Sequence, residues 1–138
     1  MNIELKNNIE VEEYNNLREQ VGWNKTDEKR IEKAIKESAF LKKAVIDNQT
    51  VGMARVISDG IYALIVDVVV SPMYQNKGIG KMIINALLKD IENSINEGES
   101  ISVNLVSMKD KESFYEKCGF QKIPYDYTGY GMKKKIEK

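Results

Sequence analysis

The chain has 138 residues, 42% of them hydrophobic and 30% charged, which are ordinary values for one packed domain and exclude a disordered or fibrous protein. Its 21 basic and 21 acidic residues cancel, so no net charge attracts a polyanion, and we expect no nucleic-acid partner. The absence of histidine excludes Ser-His-Asp and Cys-His nucleophilic systems and most catalytic zinc sites, and we predict no bound metal.

The amino terminus and the cysteine content indicate the compartment. Residues 1–6 lack the apolar segment of a signal peptide, and the chain has no run of about eighteen apolar residues, so we predict no membrane span. The single cysteine, Cys118, cannot form an internal disulfide, as is usual in a reducing compartment. We therefore predict a cytoplasmic protein.

Apolar spacing predicts a strand and two helices in the first part of the chain. Residues 2–6 alternate in the manner of a short strand, and apolar residues at helical spacing over residues 11–21 indicate a first helix. The sequence at 22–24, Gly-Trp-Asn, ends this helix. A second amphipathic segment begins near Thr26 or Asp27.

The pattern changes to β after the second helix. Turn residues at 47–49 and 58–60 separate three apolar segments, which predicts an antiparallel meander. Its last strand, residues 61–70, is nearly all apolar, as in a strand with both faces buried. Asp67 is the one charge in this strand. Asp67 could serve as a catalytic base, or its carboxylate could pair with Arg55 or face solvent. We favour the pairing or solvent exposure, and we do not count Asp67 in the site.

A loop and a long helix follow the meander. Pro72 has no N–H for a sheet and ends the strand, and the long helix begins at Ile79 and stops at residues 96–98. Residues 101–106 then alternate as a strand, and residues 111–118 indicate a short helix.

The end of the chain is expected to close the sheet. Residues 120–123 and 130–135 are predicted to form a closing hairpin. No repeat or linker is present, so we predict a single domain over residues 1–138, of the α/β (α+β) class. Its mixed, mostly antiparallel sheet of about six or seven strands includes one parallel pair and is flanked by about four helices.

The loop before the long helix has the composition of a phosphate site. A helix start presents unpaired N–H groups and a partial positive charge, and Gly78 and Gly80 let the backbone come close to a pyrophosphate. Lys77 and Lys81 add positive charge. A Gly-x-Gly sequence alone is weak, because a tight turn with no ligand has the same sequence.

Spacing excludes two other phosphate motifs. A nucleotide P-loop requires Ser or Thr after its lysine, but Met82 follows Lys81. The dinucleotide fingerprint requires a third Gly or Ala where Ile83 stands, and a parallel rather than an antiparallel unit before it.

Two segments resemble motifs of the GCN5-related N-acetyltransferase (GNAT) family. Gln75-Asn76-Lys77-Gly78-Ile79-Gly80 is similar to its signature, which is Gln or Arg, two residues, Gly, one residue, and Gly or Ala, between an apolar strand and a helix. Residues 114–120, Phe-Tyr-Glu-Lys-Cys-Gly-Phe, resemble its second motif. The resemblance covers about residues 40 to 122. It implies the single-domain acyl-CoA N-acyltransferase fold, with acetyl-CoA as the acetyl donor.

The resemblance also implies which residues contact acetyl-CoA. Backbone N–H groups of the loop would hold the pyrophosphate, and the apolar strand would hydrogen-bond the pantetheine. A bulge in that strand would open a gap beside the parallel strand, so that the N–H of Val69 or Val70 faces the thioester oxygen. The implied contacts are Val68, Val69, Val70, Gln75, Asn76, Lys77, Gly78, Ile79, Gly80, Lys81 and Phe114.

Tyr115 is the catalytic acid that the resemblance implies. The departing CoA thiolate resembles a thiol of pKa about 8.5, whereas a phenol has a pKa of about 10, so Tyr115 would stabilise it mainly by a hydrogen bond. In the alternative, Phe114 and Tyr115 are only the buried face of a short helix. Many members carry Asn and Ala where Met108 and Lys111 stand, so we expect no Asn contact to the pantetheine.

The acceptor is expected to be a small-molecule or peptide amine that attacks the thioester directly in a ternary complex, with the base unassigned. Trp23, which follows the first helix, and Tyr125 and Tyr127 are predicted acceptor contacts, because aromatic faces would attract a cationic or aromatic amine. The same aromatics would equally cap the core or line a homodimer interface. The alternative function is a non-catalytic acyl-CoA-binding or sensing module on the same fold.

Overall fold

A computed structural model describes all residues, 1–138, and contains five strands and four α-helices. A 3-10 turn at Pro72–Tyr74 leads from the fourth strand toward the third helix. The elements in chain order are β1 (Glu4–Lys6), α1 (Val11–Gln20), α2 (Glu28–Glu37), β2 (Phe40–Ile46), β3 (Gln49–Ser58), β4 (Tyr62–Val70), α3 (Ile79–Asn93), β5 (Ser102–Asn104) and α4 (Glu112–Lys117).

The five strands form one sheet in the order β1-β2-β3-β4-β5. Strands β1 to β4 pair antiparallel with their neighbours, and β4 pairs in parallel with β5. The mixed, mostly antiparallel sheet with one parallel pair and four helices is therefore confirmed. The parallel pair is possible because the whole of α3 lies in the crossover between β4 and β5.

The chain divides into two compact parts, residues 1–106 and residues 107–138. The first part contains the whole sheet and α1 to α3, and the second contains α4. The predicted closing hairpin of residues 120–123 and 130–135 was wrong, because no strand forms there and the sheet has five strands, not six or seven. Pro124 offers no N–H to a ladder, and the glycines at 129 and 131 weaken a strand.

Buried side chains cover both faces of the sheet. Gly52 of β3 faces α3, whereas the next residue, Met53, packs with Tyr14 and Leu17 of α1. Since successive residues of a strand point to opposite faces, α1 and α3 lie on opposite faces of the sheet. The buried residues of α3 are Ile79, Ile83, Ile84, Leu87 and Ile91, which recur at three- and four-residue steps as helical periodicity requires.

We expect Gly52→Val to lower the free energy of unfolding by about 2 kcal/mol, within the range for overpacked cores. A Cβ atom at Gly52 would lie 3.1 Å from Ile83 Cδ1 and 3.2 Å from the carbonyl oxygen of Val69, which belongs to the backbone of β4. Gly129→Val is the control, because nothing lies within 4 Å of its Cβ position. Urea unfolding measures both variants, and equal midpoints would contradict close packing of α3 on β3.

Candidate functional site

The loop between β4 and α3 is braced against the strand that precedes it. The backbone N–H of Ser71 donates to the carbonyl oxygen of Val51 at 2.8 Å, which fixes the end of β4 against β3. The side-chain amide of Gln75 donates to the carbonyl oxygen of Val70 at 2.9 Å. Gln75 therefore contributes to the loop through its side chain, as a clamp between the strand end and the turn.

Two left-handed residues set the direction of the loop backbone. Asn76 has φ 61° and Gly78 has φ 81°, a region that Gly and Asn adopt more easily than other residues. Nothing lies within 4 Å of the position of a Cβ atom at Gly78. Glycine is therefore required there by backbone conformation rather than by crowding, and the space beside it is open for a ligand.

Backbone N–H groups of residues 76–81 have no acceptor within the protein, and the first bond of α3 is from Met82 N–H to the carbonyl oxygen of Gly78 at 3.1 Å. These groups sit at the start of a helix of 15 residues, where the helix dipole adds positive potential. The Lys77 ammonium lies 5.7 Å from the ring centroid of Tyr74, and Lys81 is exposed. This donor set fits a pyrophosphate.

Ile79 is a predicted loop contact whose side chain is buried in the core. It is 1% exposed and belongs to the buried face of α3. Only its backbone N–H faces the loop, so its role in any phosphate contact is limited to the main chain. Asn76, Lys77 and Gly78 are exposed, and Gly80 is partly exposed.

Strand β4 contains the bulge that the family resemblance implies. Met53 of β3 pairs with Val69, but Arg55 pairs with Val66, so β4 has one extra residue over this stretch. Asp67 lies inside the bulge with φ 56°, in the left-handed region. The predicted contact segment Val68–Val70 begins within the bulge, because Asp67 and Val68 together lie between the paired residues Val66 and Val69.

The other edge of β4 is unpaired over the same stretch. Its parallel pairing with β5 covers residues 62–64 of β4 and stops there. From Ile65 to Val70 no strand pairs with this edge, which is the arrangement that an extended ligand needs in order to add alongside, as in strand addition. The Val69 side chain is buried, while Val68 and Val70 are partly exposed.

The Asp67 carboxylate binds three side chains from α1 and β3. It accepts hydrogen bonds from the Tyr14 hydroxyl, from Arg18 Nη1 at 2.8 Å and from Arg55 Nε at 2.8 Å. We call Tyr14, Arg18, Arg55 and Asp67 the Asp67 cluster. The expected pairing of Asp67 with Arg55 is confirmed, and the carboxylate holds the bulge to α1 rather than standing free as a base.

The protonation equilibria of the Asp67 cluster reflect these contacts. Burial raises the pKa of Tyr14, and the hydrogen bond to Asp67 and its negative charge raise it further. Burial alone would lower the pKa of Arg55, but the hydrogen bond and charge of Asp67, together with Tyr14, raise it above its ordinary value. Tyr14 is therefore a neutral donor at physiological pH, and Arg55 is a fixed cation.

Trp23 is joined to the Asp67 cluster through Arg18. The guanidinium carbon of Arg18 lies 5.1 Å from the Trp23 ring centroid and 5.7 Å from that of Tyr14. The backbone N–H of Trp23 donates to the Arg18 carbonyl oxygen at 2.9 Å, which fixes the turn after α1. Sequence reasoning missed Arg18 and Tyr14, although their four-residue spacing on one helix face was the available signal.

In the second part of the chain, Tyr115 lies in a small aromatic group on α4. Its ring centroid is 5.0 Å from that of Phe114 and 6.1 Å from that of Phe120, both edge-on. The chain reverses at Gly119, with φ 96°, and the Phe120 N–H donates to the Tyr115 carbonyl oxygen at 3.1 Å. Burial, and then the charge of Cys118, raise the pKa of Tyr115.

The remaining predicted acceptor contacts are exposed in that second part. Tyr125 and Thr128 form a turn in which the Thr128 N–H donates to the Tyr125 carbonyl oxygen at 2.8 Å. Tyr125 is 42% exposed and Tyr127 is 100% exposed, so both residues present surface to solvent. No cluster of three or more metal-binding side chains occurs, and every helix is too short or too polar to cross a bilayer.

Comparison with known proteins identifies the family. The acetyltransferase (GNAT) domain family matches residues 10–133. The chain is 35% identical over 127 residues to the uncharacterized N-acetyltransferase ycf52 of Pyropia yezoensis, covering 88% of this chain and 71% of that protein. It is 30% identical over 87 residues to the chloroplastic GCN5-related N-acetyltransferase 1 of Arabidopsis thaliana, covering 61% of this chain and 44% of that protein.

A solved structure of a similar protein has the same fold. A protein from meticillin-resistant Staphylococcus aureus, described as a probable acetyltransferase, superposes with a TM-score of 0.82 at 27% identity, covering 96% of this chain and 100% of that one. The bulged strand, the glycine loop and the helix that follows define an acyltransferase fold. The chain belongs to the GNAT acetyltransferase family.

Proposed function

We propose that this protein transfers an acetyl group from acetyl-CoA to a primary amine, which attacks the thioester directly in a ternary complex. The observation that carries the proposal is the row of unpaired N–H groups at residues 76–81, placed directly after a bulged strand with one free edge. A pyrophosphate and an extended pantetheine need such a pair of neighbouring sites.

Each part of the donor has residues suited to it. The backbone of Gln75 to Lys81 binds the pyrophosphate, and the Lys77 and Lys81 side chains screen its charge. The free edge of Val68–Val70 hydrogen-bonds the pantetheine, and the N–H of Val69 or Val70 is directed at the thioester oxygen, where negative charge develops during attack. Phe114 supplies a further contact to the donor.

Tyr115 acts as the acid in this proposal. Its neutral hydroxyl stabilises the departing thiolate by a hydrogen bond, and its raised pKa keeps the proton in place over the physiological range. A water or a carboxylate other than Asp67 removes the proton of the amine, because Asp67 already accepts three hydrogen bonds. Trp23, Tyr125 and Tyr127 border the acceptor.

We infer that the two compact parts act as one catalytic domain, because the family match at residues 10–133 extends through both. The proposal extends to a small-molecule or peptide acceptor, a homodimer and a cytoplasmic location.

The donor is tested by the unfolding temperature of the protein with acetyl-CoA, with free CoA and with ATP. A ligand that binds only the folded state must raise this temperature, so we expect a rise with both CoA species and little change with ATP. Gly78→Val should abolish the rise, since its side chain would occupy the open space beside the loop amides. No rise in the wild-type protein would refute acetyl-CoA as the donor.

Gly98→Val is the matched control for Gly78→Val. Gly98 has φ 84°, close to the 81° of Gly78, and nothing lies within 4 Å of either Cβ position, so both variants carry similar backbone strain. Only the Gly78 variant should lose the response to acetyl-CoA. Release of CoA thiol in the presence of amines then tests transfer, and tight donor binding without transfer to any amine would favour a sensing module.

A further inference from the structure

The Asp67 cluster carries more positive than negative charge. Its two guanidinium groups share one carboxylate, and the side chains of Arg18, Arg55 and Asp67 are only 19%, 13% and 11% exposed. Of the other carboxylates on α1, Glu13 is bound to Lys43 Nζ at 2.9 Å and accepts from the Thr50 hydroxyl, while Glu19 is exposed and makes no ion pair with the cluster. A surplus of one positive charge therefore remains at a largely buried position.

Several N–H groups of the two arginines have no hydrogen-bond acceptor or only a distant one. Arg18 donates from Nη1 to Asp67, but its Nε is buried without a partner, and no hydrogen bond is present at its Nη2. Arg55 donates from Nε to Asp67 and also interacts with Tyr14, and its contact to the Ser38 hydroxyl is long at 3.4 Å. Buried N–H groups and a buried surplus charge both lower stability, so this arrangement is typical of a place where a ligand supplies the missing anion.

The rings around Arg18 hold its guanidinium in place. The ring centroids of Tyr14 and Trp23 lie 5.7 Å and 5.1 Å from its guanidinium carbon. The guanidinium group is therefore ordered before any ligand arrives, which reduces the entropy lost on binding. The Trp23 ring also already faces a cation of the protein itself. A cationic group of an acceptor therefore has little to gain at Trp23, and an anionic group has much to gain at Arg18.

We propose that Arg18, with Arg55, binds an anionic group of the acceptor, so that the substrate class is a primary amine that also carries a carboxylate or a phosphate. This inference rests on the proposed function. It is favoured by position, because Asp67 lies in the bulge of β4 and the next residue, Val68, begins the segment assigned to the pantetheine. The anion and the thioester would thus be held by neighbouring parts of one strand.

Matched probes test the proposal by isothermal titration of the full chain in the presence of CoA at constant ionic strength. β-Alanine is compared with β-alanine amide, and O-phosphoethanolamine with ethanolamine. At least one anionic probe should bind about ten-fold more tightly than its neutral partner, which corresponds to one charge-assisted hydrogen-bond pair. The pair that shows the larger difference identifies carboxylate or phosphate.

Variants locate the effect at Arg18. Arg18→Gln should remove the preference for the anion, while Arg30→Gln, the same change at an exposed arginine on α2, should keep it. Arg18→Lys retains the charge but loses the planar fork, and should lower the preference several-fold even if the glutamine variant fails to fold. Equal affinities within both pairs, no detectable anion binding, or a preference unchanged in these Arg18 variants would overturn the proposal.

Donor binding separates this proposal from the function on which it rests. The proposed donor contacts do not include Arg18, so the unfolding temperature should still rise with acetyl-CoA in both Arg18 variants that fold, even where the size of the rise changes. Loss of anion preference with an intact donor response supports the acceptor site. Absence of a donor response in wild-type protein refutes the acetyl-CoA assignment, while the titrations still decide whether Arg18 binds an anion.

Discussion

Asp67→Asn should lower the free energy of unfolding by about 3 kcal/mol, the lower end of the range for removing one partner of a buried ion pair. The amide cannot offset the charges of Arg18 and Arg55, which are 81% and 87% buried by the exposed fractions of 19% and 13%. The amide also has only one acceptor oxygen, whereas the carboxylate has two. Urea unfolding monitored by circular dichroism measures the loss.

Asp47→Asn is the matched control for Asp67→Asn. Asp47 also has a left-handed backbone, with φ 49° against 56° for Asp67, but its side chain is exposed and makes no ion pair. Asparagine tolerates this backbone region, so strain is unchanged in both variants. We expect a change within about 0.5 kcal/mol for Asp47→Asn, and a similarly small change for Asp67→Asn would show that the cluster does not anchor the bulge.

Tyr115→Phe should lower kcat about 100-fold and leave the KM for acetyl-CoA nearly unchanged. The hydroxyl is expected to bind the thiolate only as the carbon–sulfur bond breaks, so its loss affects the transition state more than donor binding. The ring contacts with Phe114 and Phe120 are retained, so the fold of α4 should persist. Tyr62→Phe, an exposed position on β4, is the control.

The pH dependence of the wild-type enzyme gives a second measure of Tyr115. Since its pKa is raised, the hydroxyl keeps its proton to a higher pH than an ordinary phenol of pKa about 10. The stability that this group contributes is therefore complete below about pH 10 and is lost as the pH rises through the folded-state pKa. A decrease in kcat that is caused by ionisation of Tyr115 at a pH well below about 10 would contradict the assignment.

The loop and the strand before it could be predicted because their signals are local. The apolar run of β4, Pro72 and the glycines of the loop are contiguous in sequence, and helical spacing identifies α3 without reference to the rest of the chain. The bulge was implied by resemblance alone, since no residue pattern distinguishes a bulged from a regular strand here. Its location at Asp67 follows only from the register with β3.

The Asp67 cluster could not be assembled from the sequence. Tyr14 and Arg18 are separated from Asp67 by 53 and 49 residues, and their meeting depends on how α1 packs across β3 and β4. A charged residue in an apolar strand indicates that a partner exists without saying where it comes from. The missing hairpin has a different cause, because aromatic and lysine residues near the end of the chain suggested strands that Pro124 and two glycines oppose.

Helix α1 forms hydrogen bonds to both ends of the β4 segment that leads into the loop. Tyr14 and Arg18 hold Asp67, and Gln20 Oε1 accepts a hydrogen bond from the Ser71 hydroxyl at 2.6 Å, so residues 68–70 are bracketed by one rigid element. A ligand that shifts this segment must also shift the helix and the turn at Trp23. Under the proposed function, we therefore expect that donor and acceptor do not bind independently and that, by thermodynamic reciprocity, each changes the affinity of the other by one common factor.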